Sequence, residues 1–173
     1  MSVRGNLRGI LYLALVSAWL GVAVAPAASA AESEADKNYG SSLSRVYFAH
    51  QRLLAVREAC DQALPAEAGA NEKSYNTWQM RNKLLLEELD ARFTLMVKGV
   101  SRHEREYLRN LGKYEGAVIE YRNKERDELL ALPREDMVRA CADFRSYVAG
   151  QGSDFQKEYA EELRVLRQRK LPK

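Results

Sequence analysis

The feature that most constrains this chain is the spacing of its apolar residues. Leu43, Val46, Tyr47, Leu53, Leu54, Val56 and Cys60 recur at three- and four-residue steps, the period of one helix face. Tyr75, Trp78, Leu85, Leu89 and Met96 repeat the pattern, as do Tyr107, Leu111, Tyr114, Val118 and Tyr121. Met137, Cys141, Phe144 and Val148 form a fourth stripe, which resumes at Phe155, Tyr159, Leu163 and Leu166. No useful length alternates with period two and β-branched residues are sparse, so the predicted fold class is all-α. Leu64-Pro65, Gly99 and Pro133 punctuate the stripes, because proline cannot continue a helix and glycine weakens one. Ser101-Arg102-His103-Glu104 has the form of a capping box opening the third helix. Gly150-Gln151-Gly152 predicts a kink or break in the fourth, with Ser153-Asp154-Phe155-Gln156 as a second capping box for its restart. Short connections make sequential helices antiparallel neighbours. The expectation is an up-down bundle of about four helices.

The first thirty residues differ from the rest. Arg4 and Arg8 precede the apolar run Ile10 to Val24, and Pro26-Ala27-Ala28-Ser29-Ala30 closes it with small residues. This is the layout of a cleavable secretory signal, residues 1–30, with cleavage expected after Ala30. The run is shorter than the roughly 20 residues that span a bilayer, and no second long one follows, so no membrane span is expected after cleavage. Losing two arginines and no acid lowers the formal charge from +3 to +1, which gives no electrostatic reason to expect a nucleic-acid partner. Residues 31–40 are polar and acidic and read as a disordered leader; residues 41–173 read as a single domain.

Cys60 and Cys141 are the two cysteines, and an even number in an exported chain favours a disulfide over a metal site or catalytic thiol. In an up-down bundle the end of the first helix and the start of the fourth share a pole, so the pairing is consistent with the helix assignment.

Little in the sequence supports catalysis. His50 and His103 lie on different helices, with no His-x-x-x-His, Glu-x-x-His or Cys-x-x-Cys, so metal-ligand spacing is missing and neither a metal nor a cofactor is expected. His50 reads as a boundary residue of the first stripe. Glu87-Glu88, Glu125, Asp127-Glu128 and Glu161-Glu162 lie among lysines and arginines, as on a solvated face. Gly112 and Gly116 lack the apolar surroundings of a membrane-dimer motif.

One local feature stands out. Trp78 and Asn82 lie one turn apart on the second helix, near Tyr75 and beside Arg81, and the third helix loses its apolar seam over Arg122 to Glu128. Pairing the two helices about a turn near residue 100 brings Trp78 opposite Asn123 and Asn82 opposite Ile119. Tyr75, Trp78, Arg81, Asn82, Tyr121, Arg122 and Asn123 are therefore the candidate binding residues, as an aromatic-rimmed polar cleft near the disulfide pole. The competing reading makes Asn82 a register-fixing polar residue in a core.

The stretches Cys60-Asp-Gln-Ala-Leu-Pro65, Tyr75-Asn-Thr-Trp78-Gln-Met-Arg81-Asn82 and Cys141-Ala-Asp-Phe144 resemble a group of small exported proteobacterial helical proteins. The group shares a Cys…Pro…Trp-x-x-Arg-Asn…Cys pattern and has no activity attached to it. The resemblance implies a secreted helical protein with a Cys60–Cys141 bridge and carries no mechanism. The resulting expectation is a non-enzymatic periplasmic or secreted protein that binds another envelope or secreted protein. The alternatives are an inhibitor or immunity protein against a toxin or cell-wall hydrolase, and a small-ligand carrier or enzyme using the Trp78 region.

Overall fold

The computed structural model describes residues 27–150 and 153–171. The predicted signal peptide, residues 1–30, lies outside the described residues over positions 1–26. The described residues are all-helical, with no strand among them, and they are tied by a Cys60–Cys141 disulfide whose Cα atoms are 5.5 Å apart. They form seven α-helices and one 3-10 turn rather than four helices. These are α1 (Ala27–Ala63), the 3-10 turn (Pro65–Glu67), α2 (Ala68–Arg81), α3 (Lys83–Gly99), α4 (Glu104–Leu130), α5 (Arg134–Ala149), α6 (Phe155–Glu158) and α7 (Ala160–Arg167). No helix among the described residues is long and apolar enough to cross a membrane.

The extra helices are divisions of the expected ones. The second helix is interrupted at Asn82, which leaves the helical region (φ −99°, ψ 7°) while its side chain and backbone N–H both donate to the Trp78 carbonyl, at 3.0 and 3.1 Å. An asparagine side chain that bonds the backbone locally competes with the helix ladder. The fourth helix breaks after Ala149 and restarts at Phe155, where Asp154 accepts from the Gln156 N–H. The third helix starts two residues later than expected from the spacing. His103 is its N-cap, with Nδ1 accepting from the Glu106 N–H, and the Glu106 carboxylate accepts from the Arg102 N–H. The Ser101 hydroxyl instead donates to the Val97 carbonyl, satisfying the end of α3. The polar segment 31–40, expected as a disordered leader, belongs to α1. Alanine and glutamate are good helix formers, and Tyr39 is buried in the core beneath the Arg169 guanidinium, 4.6 Å from the ring centroid.

Packing also departs from a ring in which each helix rests on the next. α1 is the central rod, with α2, α3, α4, α5, α7 and the 3-10 turn all against it. α4 lies mainly along α1, and α2 lies along α5 and α1. Phe48 meets Tyr121 and Arg52 meets Glu125, so α1 and α4 run parallel, toward the disulfide. The pairs Asn71–Arg145 and Arg81–Gly150 show α2 and α5 running together away from it. The width of the α1 stripe, with Val46 and Tyr47, then Leu53, Leu54 and Val56, lets it serve several neighbours. The main core gathers Leu43, Val46, Trp78, Leu89, Phe155 and Leu166, and a smaller one surrounds the disulfide with Ala59 and Met137. α4 contributes no buried residue to either: Tyr107, Leu111, Tyr114, Val118 and Tyr121 are only half-buried, and Leu108 and Ile119 face solvent.

Candidate functional site

Four of the seven candidate residues share α2 and its break. Tyr75, Trp78 and Asn82 are buried. The Trp78 ring lies against His50, Tyr75 and Phe155, at 5.8, 5.7 and 4.9 Å between centroids, and its Nε1 donates to the Ser153 carbonyl at 2.8 Å. Buried indole N–H groups need such a partner. One turn on, Arg81 donates to the Val148 and Gly150 carbonyls and, at 3.2 Å, to the Ser153 hydroxyl. These carbonyls close the C-terminal end of α5, where helix ends leave acceptors without partners and favour a cation. Trp78 and Arg81 thus hold α2, the end of α5 and the entry to α6 in register. Arg81 and Asn82 border a hollow of 240 Å³ with Asp154, Gln156 and Lys157. Trp78 does not line that hollow and is fully enclosed, so the aromatic rim expected for a cleft is core instead.

The other edge of this aromatic group is polar. The Tyr75 hydroxyl and His50 Nε2 share a hydrogen bond of 2.9 Å. Burial, reinforced by the positive charge of Arg122, lowers the His50 pKa to about 4, and burial raises that of Tyr75 to about 12. Both are therefore neutral at pH 7. The Arg57 guanidinium covers the Tyr75 ring at 4.8 Å, a cation–π contact. Arg122 of α4 reaches the same place, its Nε 3.6 Å from Glu58 Oε1, and Arg57 Nε lies 3.9 Å from Asp61 Oδ2. Those separations are ion pairs and exceed hydrogen-bond length. Both Nε atoms are removed from water, with no hydrogen-bond acceptor among the described residues. From Asp61 the network continues toward the disulfide. Asn71 donates to Asp61 Oδ1 at 2.9 Å, and Arg145 donates to Asn71 Oδ1 at 3.1 Å and pairs with Glu67.

The structure brings Tyr75 and Arg122 to one patch through α1 rather than by apposing α2 and α4. Tyr121 packs edge-on to Phe48 at 4.6 Å, and Asn123 accepts from Arg126 on its own helix. Neither meets Trp78. Ile119 is half-exposed while Asn82 is buried, so that apposition does not form either. The reason is that α4 docks on α1, which the turn-centred register left out. The residues missed are His50, Arg57 and Glu58. Leu43, Val46, His50 and Arg57 fall at three-, four- and seven-residue steps, a signal that would have turned His50 and Arg57 toward the interior.

No protein-family model, curated protein or solved structure matches the chain.

Proposed function

We propose that this is a non-enzymatic envelope or secreted protein that binds another protein through the polar patch where α1, α2 and α4 meet. The observation that carries the reading is the pair of half-exposed arginines, Arg57 and Arg122, whose buried Nε donors have no acceptor among the described residues. A donor left unsatisfied costs about 1–3 kcal/mol, and the part-exposed remainder of these two side chains is where a partner's carboxylate or carbonyl would bond. Arginine at the centre of a contact surface is also the residue type that most often dominates binding. The disulfide close by fixes the patch, which limits the ordering cost of association. The resemblance to small exported helical proteins agrees with this setting.

The test is recovery of a complex from envelope extract with the wild-type chain and with Arg57→Gln/Arg122→Gln. The expected result is a stoichiometric partner kept by the wild type and lost by a variant whose helical circular dichroism and melting are preserved. Recovery of the same partner by both proteins would remove the patch from the binding surface.

A further inference from the structure

α4 packs with one side only. Tyr107 lies beneath Lys98, Tyr114 meets Phe93 and Tyr121 meets Phe48, so these three mark the side that rests on α3 and α1. On the opposite side Leu108, Gly112, Gly116 and Ile119 follow one another at four-, four- and three-residue steps, which makes a single stripe. Leu108 is 57 % exposed and Ile119 48 %, and a Cβ added at either glycine would meet nothing within 4 Å. Exposed apolar residues taken singly need no explanation. What distinguishes this stripe is the order of the charges beside it.

Arg105 and Arg109 flank its first half and Glu120 and Asp127 its second, all four exposed and, at 100° per residue, along the same edge. The side chains of Arg105 and Glu120 form no hydrogen bond or ion pair among the described residues. Arg109 has a 3.5 Å contact with Glu106, and Asp127 pairs with its neighbour Arg126 at 2.8 Å. Lys113 and Lys124 stand farther round the helix, and Lys124 is answered by Glu128 at 3.7 Å. A helix edge that is basic in its first half and acidic in its second is complementary to itself when reversed. The isologous contact of a twofold dimer has that form.

We propose that the outer face of α4 is a self-association surface, occupied by α4 of a second copy of this chain in antiparallel register. A crossing about residue 115 puts Arg109 beside Glu120, and Arg105 beside Asp127, of the second copy, and the twofold axis repeats both pairs. The same register lays Ile119 over Gly112 of the second copy, where the missing side chain lets the helices approach. A parallel pair would instead set like charges side by side, and flanking charges of this kind fix helix orientation. The face is about 40 Å long and about 10 Å wide, less than permanent dimers bury, so the dimer is expected to dissociate in the micromolar range. Arg122 turns the other way, toward Glu58 of α1. This contact is therefore separate from the Arg57–Arg122 patch, and either proposal stands without the other.

The test is sedimentation velocity of the purified, oxidised protein across the micromolar range. A monomer–dimer equilibrium that weakens as salt is raised is expected. Arg105→Glu/Arg109→Glu and Glu120→Arg/Asp127→Arg, changed only at exposed positions, should each keep the wild-type melting temperature and dimerise at least tenfold more weakly. Mixing these two variants restores opposite charges at all four pairs, so the mixture should form a one-to-one heterodimer. Gly112→Gln raises helix propensity but fills the space beneath Ile119 of the second copy, so it should keep or raise the melting temperature and weaken the dimer at least tenfold. A wild type that stays monomeric throughout would overturn the proposal, whatever other protein this face meets. Dimers retained by the folded single-sign variants or by Gly112→Gln would overturn the surface, and a mixture that stays monomeric would overturn the antiparallel register.

Discussion

His50 makes the stability of this protein sensitive to mild acid in a way that one substitution isolates. Its imidazole is enclosed among Trp78, Tyr75 and Arg122, and burial first, then the Arg122 charge, lowers its pKa from 6.5 to about 4. The unfolded chain takes up a proton near pH 6.5, but the folded chain resists it until about 4. A lowered histidine pKa contributes stability that is complete above the unfolded value and is lost as pH falls toward the folded one. Each pKa unit corresponds to about 1.4 kcal/mol, so the loss by pH 4 is about 2–3 kcal/mol. That is a large share of the roughly 5–15 kcal/mol that holds a domain folded. Urea unfolding of wild type and His50→Gln, from pH 7 to pH 4, measures it. Glutamine can still bond the Tyr75 hydroxyl but does not titrate in this range. Carboxylates also titrate there. Asp90 is raised by burial; burial would raise Glu88 too, but hydrogen bonds from Arg167 and Arg92 hold it low. They are common to both proteins and cancel in the difference. The variant should be the less stable at pH 7, and the gap should close or reverse by about 2–3 kcal/mol toward pH 4. Parallel stability curves across this range would refute the reasoning.

Two further outcomes concern the scaffold. Cys60→Ala/Cys141→Ala opens a bridge between residues 81 apart, and loop entropy assigns about 4–5 kcal/mol to it. The melting temperature should therefore fall by about 10–15 °C, and reductant should lower the wild type but not the variant. Arg92→Met should cost about 3 kcal/mol, because it leaves the Leu166 and Arg169 carbonyls and part of the Glu88 charge without their buried donor. Arg92→Lys should recover only part of that in thermal melts, since an ammonium cannot span the carboxylate and both carbonyls.

The sequence and the structure agree where the information is local, and they part where it is relational. A three-and-four period states which face of a segment is apolar, which is why the all-α class and the buried positions of Leu43, Trp78, Leu89 and Phe144 were legible. It does not state what that face rests on. The register that placed Trp78 opposite Asn123 assumed that neighbours in sequence are neighbours in space. α1 is apolar on too wide an arc for one partner, however, and it draws α4 onto itself. Proline and glycine mark the ends of α1, α3 and α4 in both sequence and structure, but Asn82 divides its helix through a side-chain bond to the Trp78 carbonyl, a contact that composition does not announce.

The arginines carry the larger lesson about the site. In sequence, Arg81 and Arg122 belong to the expected polar cleft, whereas that reading singles out none of Arg57, Arg92 and Arg145. In the fold four of them take on different tasks. Arg81 and Arg92 satisfy the carbonyls that end α5 and α7, Arg145 bridges Glu67 and Asn71, and Arg57 covers Tyr75. A guanidinium suits such positions because its five donors form a rigid fork and its plane stacks on rings. Measured against that pattern, Arg57 and Arg122 are exceptions. Arg81, Arg92 and Arg145 donate to carbonyls or side-chain oxygens at hydrogen-bond distance, whereas these two keep a buried Nε with none among the described residues. Stability alone does not account for leaving donors unmet in a fold that elsewhere satisfies arginines so fully, and this contrast, rather than any motif, directs attention to the patch they share with His50 and Tyr75.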